Sequence, residues 1–173
     1  MQRVLIIDTS ILCVWLQVPS KTTCGSGTEQ WNKERVDQEL EKEIQAGTTL
    51  VLPLATIIET GNHISQAASQ RHETAQALVR IMAEAADEKT PWAAFTDQTI
   101  LWNADGLKQL AVEWAALASQ KLSIGDATIK TVAEYYARSG FEVEIFTGDK
   151  GLKAYQPSLP PSAIPRRRSQ RRS

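Results

Sequence analysis

The sequence predicts an α/β fold in which a mostly parallel central sheet lies between two layers of helices. Three short, nearly continuous apolar runs carry this prediction, at residues 3–8, 49–54 and 142–147. Such runs are typical of strands that are buried on both faces. Stretches with helical spacing separate them, and strands that alternate with helices favour a parallel sheet covered on both sides.

The first half of the chain alternates predicted helices with the first two strands. A short helix over residues 9–16 follows the first strand, and residues 20–28 have the composition of a loop. Residues 29–46 carry apolar side chains at helical spacing and stop at a glycine, which predicts a second helix. Pro53 then closes the strand at residues 49–54, because proline cannot donate to a sheet ladder.

The second half is predicted to be mostly helical. A long helical region runs from residue 56 to about residue 87, with a break near Ser69. Residues 106–118 and 123–138 predict two further helices, and the third strand follows them. Residues 90–105 show no clear periodicity and stay unassigned.

Length and composition predict one soluble domain. The 173 residues are 42% hydrophobic and 23% charged, which excludes a disordered chain, a collagen-like repeat and a disulfide scaffold. No run reaches the roughly 20 apolar residues that cross a bilayer, and Asp8 interrupts the N-terminal apolar run too early for a signal peptide. Cys13 and Cys24 form no CxxC motif, so we expect reduced thiols in a cytoplasmic protein that does not bind membranes.

The charge is distributed unevenly along the chain. Residues 1–155 are predicted to form the domain, and residues 156–173 a flexible tail that is first proline-rich and then arginine-rich. The tail carries five of the nineteen basic residues, and the rest of the chain holds fourteen basic and twenty acidic residues, a net charge of −6. We expect Arg166, Arg167 and Arg168 to contact a phosphate backbone. The alternatives are a solubilising tail or a docking segment for an acidic partner.

Four acidic residues stand out by their position. Asp8 ends the first strand, Glu59 lies near the start of the helix after the second strand, and Asp149 follows the third strand. Asp126 lies in the first turn of the helix predicted at residues 123–138. Because the carboxyl ends of parallel strands share one edge of a sheet, we expect these side chains to meet there.

Each acid also has a purely structural interpretation. Residues 56–59 and 123–126 resemble capping boxes, Asp8 can cap the next helix, and Asp149 can form an Asx turn. Taken together, however, four converging carboxylates repel one another unless a cation is present. Hard divalent cations prefer oxygen ligands, and no histidine or cysteine cluster offers softer ones, so the sequence predicts a Mg²⁺ or Mn²⁺ site.

Four segments carry a family resemblance: IIDTS at 6–10, LATIIE at 54–59, GDA at 125–127 and FTGDK at 146–150. Their order and spacing resemble those of a PIN domain, and the resemblance covers residues 3–155. It implies a PIN-like three-layer α/β/α sandwich and a ribonuclease activity like that of VapC-type toxins from toxin–antitoxin systems.

The resemblance also implies a site and its chemistry. Asp8, Glu59, Asp126 and Asp149 correspond to acids that bind one or two Mg²⁺ or Mn²⁺ ions. The bound metal activates a water that hydrolyses the RNA phosphodiester and leaves 5′-phosphate and 3′-hydroxyl ends. Further residues are carried over as substrate or supporting groups: a hydroxyl from Thr9 or Ser10, Thr147 to hold the site's shape or orient a water, and Lys150 to contact substrate phosphate.

The resemblance implies an antitoxin or another protein partner and a homodimer. The chain departs from the compact toxin pattern at residues 18–30, at residues 88–105 and in its arginine-rich tail. These departures fit a PIN-domain subunit of a defence or RNA-processing complex. A catalytically weak PIN scaffold that binds RNA or protein is the further alternative. His63 and the five tryptophans are interpreted as structural residues.

Overall fold

The computed structural model describes residues 1–158. In chain order its regular elements are β1 Arg3–Ile7, α1 Thr9–Trp15, β2 Thr23–Cys24, β3 Trp31–Asn32, α2 Lys33–Gln45, β4 Thr49–Val51, α3 Leu54–Gln66, α4 Arg71–Ala86, α5 Ala104–Ser119, α6 Ile124–Arg138, β5 Glu142–Phe146 and α7 Lys150–Lys153. Two 3₁₀ segments, Gly27–Glu29 and Phe95–Trp102, complete the described chain. Within these residues, no helix combines the length and the apolar composition needed to span a membrane.

The predicted parallel sheet is confirmed, with β1 at its centre. The strand order is β4-β1-β5, and both neighbours run parallel to β1. The register pairs Ile7 with Phe146, the last residues of their strands. The residues that follow these two strands, Asp8 and Thr147, are therefore neighbours at the carboxyl edge.

Helices cover both faces of this sheet. Alternate side chains of β1 enter different cores, because successive residues of a strand point to opposite faces. Leu5 and Ile7 pack in one core with side chains of α1, α2 and α4. Val4 and Ile6 pack in the other core with side chains of α6 and β5. This mixed α/β arrangement is compatible with three layers.

Residues 20–32 differ from the prediction of a loop followed directly by a helix. β2 and β3 form a small antiparallel sheet in which Cys24 pairs with Trp31, and α2 begins only at Lys33. Asn32 caps α2 by accepting a hydrogen bond from the Arg35 amide at 2.9 Å. The Trp31 ring packs edge-on against Phe146, with the ring centroids 4.7 Å apart, so tertiary contact overrides helical spacing here.

The remaining boundaries follow from local chemistry. The second strand ends at Val51 rather than residue 54, because Pro53 is the N-cap residue of α3. The predicted break near Ser69 is confirmed, since it separates α3 from α4. Within residues 90–105, buried Gln98 ties the 3₁₀ segment to the end of β4 by donating to the Leu52 carbonyl at 2.8 Å.

Candidate functional site

Asp8 lies at the centre of the carboxyl edge and is only 4% exposed. Its Oδ2 atom accepts hydrogen bonds from the Ser10 amide at 3.2 Å, the Ser10 hydroxyl at 2.6 Å and the Thr147 hydroxyl at 2.7 Å. The first of these confirms the predicted helix cap, since Asp8 is the N-cap residue of α1. The two hydroxyls come from different elements, so β1, α1 and the loop after β5 together fix this carboxylate.

Glu59 reaches the same edge from the second turn of α3. Its Oε2 accepts a hydrogen bond from the Thr9 hydroxyl at 2.9 Å. Its Oε1 occupies the space beside Gly125, where any Cβ would overlap it. A glycine at 125 therefore lets the start of α6 approach Glu59.

The predicted capping box at residues 56–59 is wrong. α3 begins at Leu54, so Thr56 already lies inside the helix. Its hydroxyl donates instead to the Ile7 carbonyl at 2.8 Å and ties α3 to the end of β1. Glu59 consequently caps no helix, and no capping role accounts for its position.

Asp126 is the N3 residue of α6, and the Ser123 cap of the predicted capping box is confirmed, although the Asp126 carboxylate accepts from the Ser123 hydroxyl and not from its backbone amide. The Asp126 amide donates to the Ser123 hydroxyl at 3.0 Å, and that hydroxyl donates to Asp126 Oδ2 at 2.8 Å. Partial burial raises the pKa of the Asp126 carboxyl, and the negative charges of Asp8, Glu59 and Asp149 raise this pKa further. Asp8, Glu59 and Asp149 therefore each lie within electrostatic reach of Asp126.

Asp149 closes the group from the loop after β5. Its amide donates to the Thr147 hydroxyl at 2.9 Å, so Thr147 links Asp8 and Asp149 through one oxygen. Asp149 Oδ1 accepts from the Gly151 amide at 2.7 Å and the Leu152 amide at 3.3 Å, as the N-cap of α7. The predicted local turn role of Asp149 is confirmed in this form.

The four carboxylates share one pattern. Each has one oxygen held by hydrogen bonds from the protein, and its second oxygen accepts none from the described residues. Among residues 1–158, no lysine, arginine or histidine forms a salt bridge with any of the four. Among the described residues, no salt bridge compensates the negative charge of this edge.

The donor chemistry of this edge fits a hard cation. Burial raises the pKa of Cys13 to about 11 and also raises the pKa of Cys24, so both stay neutral thiols at neutral pH. The available ligands are therefore carboxylate and hydroxyl oxygens. Within residues 1–158, no group of three or more acidic, histidine or cysteine side chains stands close enough to hold a metal ion. Mg²⁺ commonly binds through one or two carboxylates and keeps several waters, which is compatible with this spacing.

The other residues predicted for the site divide into three sets. Thr9, Ser10 and Thr147 contact the carboxylates directly. Lys150 is exposed at the start of α7, and its Nζ lies 3.7 Å from Glu29 Oε2. The predicted phosphate contacts Arg166, Arg167 and Arg168 lie outside the described residues.

Sequence reasoning missed the residues that bring the elements together. Gly125 was noted as part of a motif, but the space it leaves for Glu59 was not predicted. Gly148 plays a similar part: a Cβ there would lie 2.6 Å from Cys24 Sγ and 2.8 Å from the Gly25 amide nitrogen. The available signal was a glycine directly before an acid in both cases. That pattern indicates close packing but does not name the partner.

We compared the chain with models of protein families, with curated proteins and with solved structures, and none of the three comparisons found a match. The functional interpretation therefore depends on the geometry of the carboxyl edge and on the motifs of the sequence.

Proposed function

We propose that this chain is a Mg²⁺- or Mn²⁺-dependent endoribonuclease whose site is the carboxyl edge. The observation that carries the proposal is that four carboxylates converge on one edge, where each keeps one oxygen that accepts no hydrogen bond from the described residues. Helix capping accounts for Asp8, Asp126 and Asp149 but not for Glu59. One or two divalent cations would offset this negative charge.

The chain's own residues have distinct parts in this proposal. One or two of the carboxylates of Asp8, Glu59, Asp126 and Asp149 would bind the metal directly, through oxygens that accept no hydrogen bond from the described residues, and the others would act through the waters that the metal keeps. When bound, the metal supplies an activated water and stabilises the charge on the leaving 3′ oxygen. Ser10, Thr9 and Thr147 keep the carboxylates oriented, as outer hydrogen bonds do around metal ligands.

The resemblance to PIN domains narrows the biological setting. It supports a toxin of a toxin–antitoxin system, with an antitoxin as the protein partner and a second copy of the chain in a homodimer. The alternatives are a PIN-domain subunit of a defence or RNA-processing complex and a catalytically weak scaffold that binds RNA or protein. β2 lies within residues 18–30, one of the segments that depart from the compact toxin pattern, and these departures fit the complex.

Cleavage of total RNA by the purified full chain tests the proposal. We expect fragments with Mg²⁺ or Mn²⁺ and none with a chelator. Asp8→Asn should abolish cleavage and keep the fold, because asparagine caps a helix about as well as aspartate. Asp87→Asn is the matched control, since Asp87 is a surface carboxylate that pairs with Lys89.

Cleavage that needs no metal, or that survives in the Asp8→Asn variant, would overturn the proposed site. Folded protein that cleaves nothing with either metal would overturn the nuclease proposal and favour the scaffold. Sequencing of the fragment ends names the RNA that is cut.

A further inference from the structure

A second feature adjoins the carboxyl edge: a cavity of about 240 Å³, with both polar and apolar walls, between the β2–β3 sheet and the loop after β5. Its wall includes Thr147 and Asp149, so the cavity opens beside the proposed metal site. Trp31, Arg35 and Lys150 also line it. These three residues do not hold the carboxylates in place, so the cavity has a role separate from theirs.

The chain brings the two walls together through a tight contact. Gly148 lies against Cys24 and Gly25, with no space for a side chain. Cys24 in turn pairs with Trp31. The segment that forms β2 and β3 is therefore fixed next to the strand end that carries Thr147 and Asp149.

Arg35 and Trp31 form a stacked cationic and aromatic pair in this wall. The guanidinium carbon of Arg35 lies 4.4 Å from the centroid of the Trp31 ring. One terminal nitrogen of Arg35 donates to the carbonyls of Thr28 at 2.9 Å and Gln30 at 2.7 Å. Among residues 1–158, no carboxylate forms a salt bridge with Arg35. The guanidinium is thus held in place while its charge stays available.

Lys150 supplies a second cation next to Asp149. Its side chain is 72% exposed, and its distance of 3.7 Å from Glu29, itself 70% exposed, makes a weak pair that a phosphate can replace. The other acid of the wall, Glu144, is already paired with Lys153 at 2.9 Å and with Arg3. Three acidic and three basic side chains line the cavity, and among the basic ones Arg35 forms no salt bridge with residues 1–158 and Lys150 only a weak one, so these two cations lie available beside the negative edge.

We infer that this cavity binds one nucleotide of a single-stranded RNA next to the phosphate that is cut. The base lies against the Trp31–Arg35 pair, and Lys150 contacts the phosphate. Unstacked bases of single-stranded RNA bind on aromatic rings and guanidinium planes in this way. The cavity is smaller than the about 300–1,000 Å³ of typical small-molecule sites, which suits one unit of a chain. The inference rests on the proposed function, because the metal site gives the neighbouring phosphate its role.

Binding without cleavage tests the cavity by itself. We would measure the fluorescence anisotropy of a short labelled single-stranded RNA of mixed sequence, with the full chain in chelator. Arg35→Gln should raise Kd roughly fivefold or more. Lys150→Gln should lower the slope of log K against log salt by about 0.7, the loss of one phosphate contact.

Lys89→Gln is the matched control, because Lys89 is 63% exposed and also lies 3.7 Å from a carboxylate, but on a different surface. It should leave Kd and the salt slope unchanged. Circular dichroism checks that the Arg35 variant keeps its fold. Within residues 1–158 the Lys150 side chain pairs with Glu29 alone, so replacing it should not disturb the fold.

The outcomes separate this inference from the proposed function. RNA binding that is unaffected in both variants would overturn the cavity, even if the wild-type chain cleaves RNA with metal. Weakened binding in both variants would support nucleotide binding in the cavity. If the wild-type chain then cleaved no RNA, only the nuclease proposal would be overturned. No RNA binding by the wild-type chain would overturn the cavity directly.

Discussion

Single hydrogen-bonded side chains determine how the carboxyl edge is charged. Ser10 and Thr147 hold one oxygen of Asp8, and Thr9 holds one oxygen of Glu59. These hydroxyls orient the carboxylates but do not neutralise them. Asp126 shows the consequence, because its own partial burial, and then the charges of the other three acids, raise its pKa.

Replacement of Asp126 by asparagine is expected to stabilise the metal-free protein. A raised pKa means that the folded state binds the carboxyl proton more tightly than the unfolded state does. Stability is therefore lost as the pH rises from the pKa of an unfolded aspartate, about 3.9, through the higher pKa of the folded protein. In chelator at neutral pH, Asp126→Asn should therefore raise the unfolding temperature, by at most about 3 °C because the side chain is half-exposed. Thermal unfolding followed by circular dichroism measures this, and the difference should vanish near pH 3.

Asp105→Asn is the control for this prediction, since Asp105 is an exposed acid in the first turn of α5. That substitution removes a favourable charge from a helix start and should not raise the unfolding temperature. If Asp126→Asn instead lowers the unfolding temperature, the carboxylate serves only to stabilise the start of α6.

At the scale of elements, the same residue can start a helix and face the site. Asp149 is the N-cap of the short helix α7 and accepts two amide hydrogen bonds on Oδ1. Its second oxygen accepts none from the described residues. Capping and metal binding therefore use different oxygens, and substitutions can separate them.

Asparagine and alanine at position 149 should have different effects. Asp149→Asn keeps the cap, so the free energy of unfolding should stay within about 0.5 kcal/mol of wild type. Asp149→Ala loses the cap and should lose about 0.5–2 kcal/mol. Both should lower metal-dependent cleavage at least about tenfold, because both remove the charge. Urea unfolding and the RNA cleavage assay measure the two effects.

The cap of another helix provides the comparison. Asn103 caps α5 by accepting from the Gly106 amide at 2.8 Å, and Asn103→Ala should reduce stability similarly without changing cleavage. Full cleavage by Asp149→Asn would mean that Asp149 is a cap alone.

The elements also show how far the sequence predicts this fold. β1 and β5 were predictable because continuous apolar runs specify strands buried on both faces. β2 and β3 were not, because each has two residues and depends on the contact of Trp31 with Phe146. Strand ends predicted the positions of Asp8 and Asp149, whereas the partner of Glu59 depends on the missing side chain of Gly125. Local pattern therefore predicts the edge, and long-range packing completes it.

At the scale of the whole molecule, charge opposes the proposed substrate. The described residues contain the sheet and both cores, and residues 1–158 hold fourteen basic and twenty acidic residues. An acidic body attracts metal but repels RNA. The five arginines of residues 159–173 bring the net charge of the chain to −1.

Deletion of residues 159–173 is expected to keep the fold and weaken RNA binding. Each arginine that contacts a phosphate adds about 0.7 to the slope of log K against log salt, so the truncated chain should show a shallower slope. Its affinity should fall most at low salt, where the repulsion from the acidic body is least screened. Anisotropy titrations in chelator at several salt concentrations measure both quantities.

Replacing the five arginines by glutamine should have the same effect as deletion, because charge and not length is responsible. An unchanged affinity at low salt would instead assign the tail to solubility or to an acidic protein partner.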